Sequence, residues 1–343
     1  MSVTLRIETE AWRIHLGNVF GETQGLVPVA KGNGYGFGLA RLAQEADLLG
    51  ASVLAVGTAD EVAVVRDAGW AKDIVVLTPW SVADGVDLLD DDQVIRTIGR
   101  LDDLAAAQAA RPDARVILEL LTSMRRHGLA ADDLPKLGAR LGDLRVEGWT
   151  IHLPMSGPPE AHLDEARGLA SRALAVRKAP LWLSHLSARD YRTLAREVDV
   201  ETHLRVGTKL WLGAPHALRT TARVLDVHKV RRGERIGYWQ RRMPTDGWVV
   251  VVSGGTANGV ALEAPTAGAS LRQRAIALAG GSMAAAGLAL SPYTLDGRKR
   301  FFVEPPHMQS SLVFLPGAAT VAVGQEVPVE LRLTTAQFDR VIG

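Results

Sequence analysis

The chain has 343 residues, of which 47% are hydrophobic, and its 39 basic and 38 acidic side chains give a formal net charge of +1. This length is sufficient for two domains with sizeable cores, and the balanced charge argues against nucleic acid or a membrane surface as a partner. The sequence contains no cysteine, which excludes disulfides, thiolate metal ligands and a cysteine nucleophile. With an N-terminus unlike a signal peptide, this predicts a cytoplasmic protein. No metal site is expected.

Short apolar runs alternate with amphipathic helical stretches over the first two thirds of the chain. Such alternation is typical of βα units that build a parallel sheet. Eight units within about 200 residues favour an α/β fold with a closed (β/α)8 barrel of the TIM type, and an open doubly wound sheet is the alternative. The predicted strands are residues 26–30, 53–57, 74–78, 94–98, 115–120, 146–153, 181–186 and 202–207.

Strand-like runs separated by glycine, proline and aspartate follow residue 220. They predict a second, mostly β domain. We therefore expect a barrel domain over 9–220 and a β domain over 221–343, with the alternating segment 2–8 as a candidate additional strand of the latter. The glycine- and alanine-rich stretch 265–295 is interpreted as an insertion into the β domain rather than as a membrane span.

The stretch "VPVAKGNGYGFGLA", residues 28–41, places a lysine directly after the first predicted strand. Functional residues of βα barrels lie at the carboxyl ends of the strands, and a partly desolvated lysine there becomes nucleophilic. The alternating glycines allow the backbone to approach a ligand closely, but they fit neither GxxxxGK[ST] nor GxGxxG. Lys31 is therefore a candidate reactive group, and a solvated lysine before a flexible turn is the alternative.

Several motifs resemble those of the alanine racemase family, in the same order along the chain. "VAKGNGYGFG" is similar to the family's "VxKANAYGHG", "LELLTSMRRHG" to "KVDTGMxRLG", and "LRVGTKLWLG" to "VRPGIxLYG". "GWTIHL" and "LSHLSA" stand where the family has "GxxTHF" and "HxxNSAA". Each motif is weak alone, but the ordered set covers residues 4–260. The resemblance implies a fold-type III enzyme dependent on pyridoxal 5′-phosphate (PLP), with a barrel and a C-terminal β domain.

The resemblance also implies roles for individual residues. Lys31 would bind PLP through a Schiff base and act as a base in proton transfer. Arg126 would bridge toward the cofactor's phenolic oxygen and the substrate carboxylate, and His152 would lie beside the ring. Arg205 would face the pyridine nitrogen, and because a guanidinium does not give up its proton, that nitrogen would stay unprotonated. The cofactor phosphate would be bound by Tyr35, Ser187, Gly207 and Thr208.

Ordinary structural roles are the alternatives for some of these residues: a salt bridge for Arg205, a core hydrogen bond for His152, and simple packing for Tyr35. Ser187 matches less closely than the others, because Leu186 replaces the asparagine that precedes the serine in the family.

The chain also departs from the family pattern at functional positions. Glu119 stands where many members have a carbamylated lysine, and its carboxylate would orient Arg126 by a charge-assisted hydrogen bond. Thr256 stands where the family has the tyrosine that the partner subunit contributes as the second base. A threonine hydroxyl is short and does not titrate usefully, whereas racemisation needs proton transfer on both faces of the substrate. His307 is a candidate replacement base, and a surface histidine is the alternative.

These observations predict a PLP-dependent, alanine racemase-like enzyme that acts at the α-carbon of an amino acid. Because the second-base tyrosine is missing, two alternatives stay open: a PLP-dependent lyase or decarboxylase, and a non-catalytic PLP-binding homologue. The resemblance further implies an amino acid as the small-molecule substrate, and a homodimer.

Overall fold

The computed structural model describes residues 2–137, 140–262 and 289–343. The chain divides into two compact units. The barrel unit comprises described residues of Ile14–Gly34 and Gly38–Gly213, and the β unit comprises those of Met1–Arg13, Tyr35–Phe37 and Ala214–Gly343. The predicted domain boundary at residue 220 stays a prediction, and most of the predicted insertion, residues 265–288, lies outside the described residues.

The chain begins with β1 (Val3–Ile7) and α1 (Thr9–Gly21). The barrel strands that follow are β2 (Leu26–Pro28), β3 (Val53–Val56), β4 (Asp73–Val76), β5 (Val94–Ile98), β6 (Arg115–Leu120), β7 (Arg145–His152), β8 (Leu181–Ser184) and β9 (Thr202–Val206). The helices between and after them are α2 (Leu39–Leu48), α3 (Asp60–Asp67), α4 (Leu101–Ala110), α5 (Pro159–Val176), α6 (Ala188–Glu197) and α7 (Thr208–Leu212).

In the described residues, β2 to β9 form one parallel sheet of eight strands in the order β2-β9-β8-β7-β6-β5-β4-β3. A bridge between Val29 and Ala55 joins the two ends of this order, so the sheet is a nearly closed barrel. The predicted (β/α)8 barrel is therefore confirmed, and the open doubly wound sheet is not formed. The barrel is filled by inward-facing side chains, which include Val27, Val29, Ala55, Val75, Ile95, Ile117 and Trp182.

Two connections of the barrel contain short 3-10 helices where a βα unit ordinarily has an α-helix. Val82–Asp84 and Asp87–Leu89 follow β4, and Ala131–Lys136 follows β6. Five aspartates lie between residues 80 and 93, and aspartate side chains compete with the backbone for hydrogen bonds. Pro135 removes a backbone donor from the second connection.

Alternation along the strands determines which side chains reach the mouth of the barrel. Residues two apart on a strand face the same side of a sheet. Val27 and Val29 face inward, and Lys31 follows at the same spacing just beyond the end of β2. On β6, Glu119 faces the same side as the inward-facing Ile117. By the same rule Trp182 continues to Ser184. The carboxyl ends of the strands thus carry polar side chains into the mouth above an apolar interior.

The β unit contains β10 (Leu218–Val230), β11 (Arg235–Ile236), β12 (Arg241–Arg242), β13 (Gly247–Ser253), β14 (Leu290–Leu295), β15 (Arg298–Phe301), β16 (Ser310–Pro316), β17 (Glu326–Pro328) and β18 (Arg340–Ile342). Its main described sheet has the order β16-β13-β10-β1-β18, with β17 also paired to β10. Strand β1 pairs antiparallel with β10, with Thr4 opposite Thr221. A mostly β C-terminal domain is thus confirmed. No helix in the described ranges is long and apolar enough to cross a membrane.

Candidate active site

Lys31 is held at the barrel mouth by a loop that Glu61 fixes. The Glu61 carboxylate accepts hydrogen bonds from the backbone of Gly32 (2.7 Å) and Gly57 (2.6 Å). A Cβ atom added to Gly57 would lie 3.0 Å from Cβ of Lys31, so the absence of a side chain there leaves room for the lysine. Glu61 lies in the first turn of α3. The loop therefore fixes the base of the Lys31 side chain.

The environment of Lys31 favours its neutral form. Partial burial, followed by the positive charges of Arg126 and Arg205, lowers the pKa of Lys31, and Glu61 opposes this effect. The side chain is still accessible at the mouth. A neutral, accessible amine is the form in which lysine acts as a nucleophile or a base.

Arg205 lies on β9 at the same end of the barrel and is only 7% exposed. Its Nη2 donates long hydrogen bonds of 3.4 Å to the Ile151 carbonyl and the Ser184 hydroxyl. Within the described ranges, its buried Nε atom has no hydrogen-bond partner. Burial lowers the pKa of Arg205 to about 10, which Glu119 opposes, so the guanidinium stays charged at neutral pH. The barrel therefore holds a buried cation with one donor still free.

His152 ends β7, and its Nδ1 lies 3.1 Å from the Ser184 hydroxyl. Burial, followed by the charges of Arg205 and Arg126, lowers the pKa of His152 to about 2. The ring is thus neutral. Because Arg205 can only donate, the Ser184 oxygen accepts from it, and the buried hydroxyl has its proton left for Nδ1. This arrangement favours the tautomer of His152 that carries its proton on Nε2.

We expect nitrogen-15 NMR of the protein to show His152 neutral from pH 7 to pH 5, with the proton on Nε2. Below pH 6.5 the histidine binds a proton in the unfolded chain but stays neutral in the folded protein, where its pKa is about 2. Acidification in this range therefore lowers the free energy of unfolding, by at most about 1.4 kcal/mol per pH unit from this group. A His152→Gln variant should lose this part of the pH dependence, and a His152 ring that is charged at pH 6 would contradict the assignment.

The loop after β6 brings Arg126 to the mouth. The Thr122 hydroxyl donates to the His152 carbonyl (2.8 Å), and the Ser123 hydroxyl donates to Glu165 on α5 (2.7 Å). A Cβ atom at Gly128, where φ is 127°, would lie 2.4 Å from the Leu120 backbone, so the turn that ends this loop requires glycine. The ends of the loop are anchored, while the Arg126 side chain itself is exposed.

Glu119 is 3% exposed, and its carboxyl group interacts electrostatically with both Arg205 and Arg126. Burial raises the pKa of Glu119, and the charges of Arg205 and then Arg126 oppose this rise. Among the described residues, however, no hydrogen bond or ion pair joins Glu119 to either arginine. The expected charge-assisted hydrogen bond to Arg126 is therefore not formed, and Arg205 is the arginine with which Glu119 interacts more strongly.

Two residues of the mouth, Ser184 and His185, were not expected from the sequence. His185 follows β8 with a φ of 62°, and its ring lies edge-on to that of His152, with 4.9 Å between centroids. Burial and the charges of Arg205 and Lys31 lower its pKa. The predicted strand 181–186 ran through both positions. The strand in fact ends at Ser184, and the preference of histidine for positive φ was the available signal.

The predicted phosphate-binding residues of the barrel unit lie at two helix starts. Ser187 caps α6: its hydroxyl donates to the Asp190 carboxylate (2.6 Å) and accepts from the Asp190 backbone (3.1 Å). Gly207 precedes α7, and Thr208 is its first residue. Their roles toward a phosphate stay predictions.

The other predicted site residues belong to the β unit. Tyr35 is buried, with a φ of 55°. Thr256 is exposed, and its backbone donates to the His307 carbonyl (2.9 Å). His307 lies 2.7 Å from the buried Glu304 carboxylate, with its ring 4.7 Å from that of Tyr238. The barrel mouth, by contrast, contains four of the predicted residues: Lys31, Glu119, His152 and Arg205.

The described part of the chain contains no cluster of His, Asp and Glu suited to a metal.

Known proteins similar to this chain share both its sequence pattern and its fold. The chain is 26% identical over 262 residues to an alanine racemase of Mycobacterium bovis, covering 68% of this chain and 67% of the relative. It is 29% identical over 283 residues to one of Nitratidesulfovibrio vulgaris, covering 74% and 72%.

Among solved structures, alanine racemase from Bartonella henselae with covalently bound pyridoxal phosphate has a TM-score of 0.76 at 15% identity, with both chains fully covered. Alanine racemase from E. faecalis has a TM-score of 0.70 at 22% identity, covering 97% of this chain and 91% of the other. At these identities the structures show a common fold.

The family model for the N-terminal domain of alanine racemase matches residues 13–215, more than half of the chain. This range contains the barrel strands and the polar side chains at their carboxyl ends. The chain therefore belongs to the alanine racemase family.

Proposed function

We propose that this protein is a PLP-dependent enzyme that moves a proton at the α-carbon of an amino acid. The observation that carries the proposal is Lys31: it lies just beyond the first barrel strand, β2, is accessible, and has a lowered pKa beside two arginines. These are the properties required of a lysine that forms a covalent bond with a carbonyl compound.

The donor set of the mouth fits PLP. The buried Arg205 has a free Nε donor, which suits an acceptor such as a pyridine nitrogen. The guanidinium groups of Arg126 and Arg205 make the mouth positive, with the buried carboxyl group of Glu119 near them, which suits a phosphorylated cofactor and a carboxylate substrate. The covalently bound pyridoxal phosphate of the Bartonella henselae structure supports the same cofactor here.

The residues of the mouth divide the chemical work. PLP, when bound, supplies an electron sink that stabilises negative charge at the α-carbon. Lys31 would hold the cofactor, and its amine, favoured in the neutral form, would accept the α-proton. Arg205 would stay cationic and donate through Nε, because its pKa of about 10 remains far above neutrality. His152, with its proton on Nε2, would act as a hydrogen-bond donor and not as a base.

Arg126 would bind the substrate carboxylate. Its side chain is exposed at the mouth, and its loop is anchored at Thr122 and Ser123. A guanidinium binds a carboxylate through two parallel hydrogen bonds, which also fixes the orientation of the substrate. Glu119 would limit the repulsion between Arg126 and Arg205 by its charge.

One observation favours a second candidate, a PLP enzyme that does not racemise. Thr256 occupies the position of the family's second-base tyrosine, and it lies on a short 3-10 helix, Thr256–Asn258. A threonine hydroxyl does not replace a phenol as an acid or base, so proton transfer would be confined to the Lys31 face. Exchange without inversion, decarboxylation or a lyase reaction would then result. A homologue that binds PLP but catalyses no reaction is the remaining alternative.

Proton exchange at the α-carbon tests these candidates. The protein is incubated with PLP and individual L- and D-amino acids in deuterated water, beginning with alanine, and the α-proton is followed by NMR together with chiral analysis. Exchange with inversion would establish a racemase, and exchange without inversion would establish chemistry from one face. The absence of exchange and of any product with every amino acid would overturn an enzymatic function.

A homodimer, which the resemblance to the family implies, and a cytoplasmic location, which the absence of cysteine favours, belong to the same proposal. Light scattering of the purified protein measures the first: a mass near twice that of one chain is expected, and a monomeric mass would contradict it.

A further inference from the structure

Two side chains of the loop from β8 to α6, Ser187 and His185, differ in whether their hydrogen-bonding groups are already occupied. Ser187 has a single hydroxyl proton, and it donates this proton to Asp190 at 2.6 Å. Its oxygen also accepts from the Asp190 backbone at 3.1 Å, which caps α6. A hydroxyl in this arrangement has no proton left for a ligand. The Asp190 carboxylate beside it would also repel an anion.

His185, two residues earlier, has the opposite character. In the described ranges no hydrogen bond occupies its ring nitrogens, and the ring is accessible. The left-handed backbone at His185 brings its ring edge-on to His152, at the barrel mouth. Non-glycine residues in this conformation cost free energy and concentrate at functional sites.

The charges around His185 are those of an anion site. Arg205, Lys31 and Arg126 are near enough to lower its pKa. The lowered pKa favours the neutral imidazole, which donates one hydrogen bond to a phosphate oxygen without adding to the repulsion between the two guanidinium groups.

We propose that His185, and not Ser187, is the side chain of this loop that binds the phosphate of the cofactor. The inference rests on the proposed function, because it takes PLP as the ligand. It assigns to Ser187 a structural role as the cap of α6.

The experiment compares the affinities of the PLP-free protein for PLP and for pyridoxal, which lacks the phosphate. Both aldehydes react with Lys31, so the ratio of their dissociation constants isolates the phosphate. The absorbance change on covalent binding reports each affinity. The variants are His185→Gly, which removes the ring and tolerates positive φ, and Ser187→Ala, which removes the hydroxyl from the same loop.

His185→Gly is expected to weaken PLP binding about tenfold or more while leaving pyridoxal affinity nearly unchanged, since a hydrogen bond to a charged group is lost. Ser187→Ala is expected to lower the melting temperature through loss of the cap but to keep the ratio of the two affinities. A normal ratio in His185→Gly, or a ratio reduced by Ser187→Ala alone, would overturn the assignment. If the wild-type protein binds neither aldehyde, the proposed function itself fails.

Discussion

Replacing Lys31 with alanine is expected to abolish covalent binding of PLP and to reduce α-proton exchange by at least about a thousandfold. The reason is that two roles depend on one amine. It forms the bond to the aldehyde, and it accepts the proton from the α-carbon. Arg126 and Arg205 are the other cationic groups that act on it, and a guanidinium performs neither role at neutral pH.

The measurements are the absorbance of the protein after addition of PLP and the rate of α-proton exchange in deuterated water. Lys178→Ala is a suitable control, because Lys178 is an exposed lysine of the same unit that pairs with Asp199 at the surface. It should retain both properties. The lowered pKa of Lys31 also predicts the pH dependence. Because the neutral amine is the base, the exchange rate should rise with pH and level off below the ordinary lysine pKa of 10.5. Full exchange activity in the Lys31 variant would rule out the proposed role.

The barrel was predictable because its signal is local and repeated. Each strand is a short apolar run whose residues must be buried on both faces, and the predicted runs agree with β2 to β9. The position of Lys31 followed from the same pattern, because the residue after a barrel strand lies at the mouth.

The arrangement of hydrogen bonds in the mouth was not predictable from the same signal. Ser184 is adjacent to Arg205 and His152 only because β8 lies between β7 and β9 in the sheet. His185 was assigned to a strand, although the chain leaves the strand one residue earlier. Glu119 was expected to orient Arg126 because it stands where many family members have a carbamylated lysine. The loop after β6, however, is anchored through Thr122 and Ser123, and among the described residues Arg126 forms no hydrogen bond or ion pair with Glu119.

The second large expected effect concerns stability and involves two buried charged groups of the barrel, Glu119 and Arg205. Glu119→Leu is expected to destabilise the protein, because it removes the carboxylate that opposes the burial of Arg205. Arg205→Leu removes a buried cation with an unsatisfied Nε atom, and the double variant removes both charges. Since desolvation of buried charges often exceeds their attraction, we expect the double variant to be at least as stable as the wild type.

Denaturant unfolding of the four PLP-free proteins measures this cycle, with an expected coupling of about 1–3 kcal/mol between the two positions. Arg167 and Glu197, which form an exposed pair with hydrogen bonds of 2.6 and 2.7 Å, provide the matched control cycle, whose coupling should stay below about 1 kcal/mol. Additive effects of Glu119→Leu and Arg205→Leu would mean that the two charges do not interact. A double variant that is stable but no longer binds PLP would show that the protein retains these charges for function at the expense of stability.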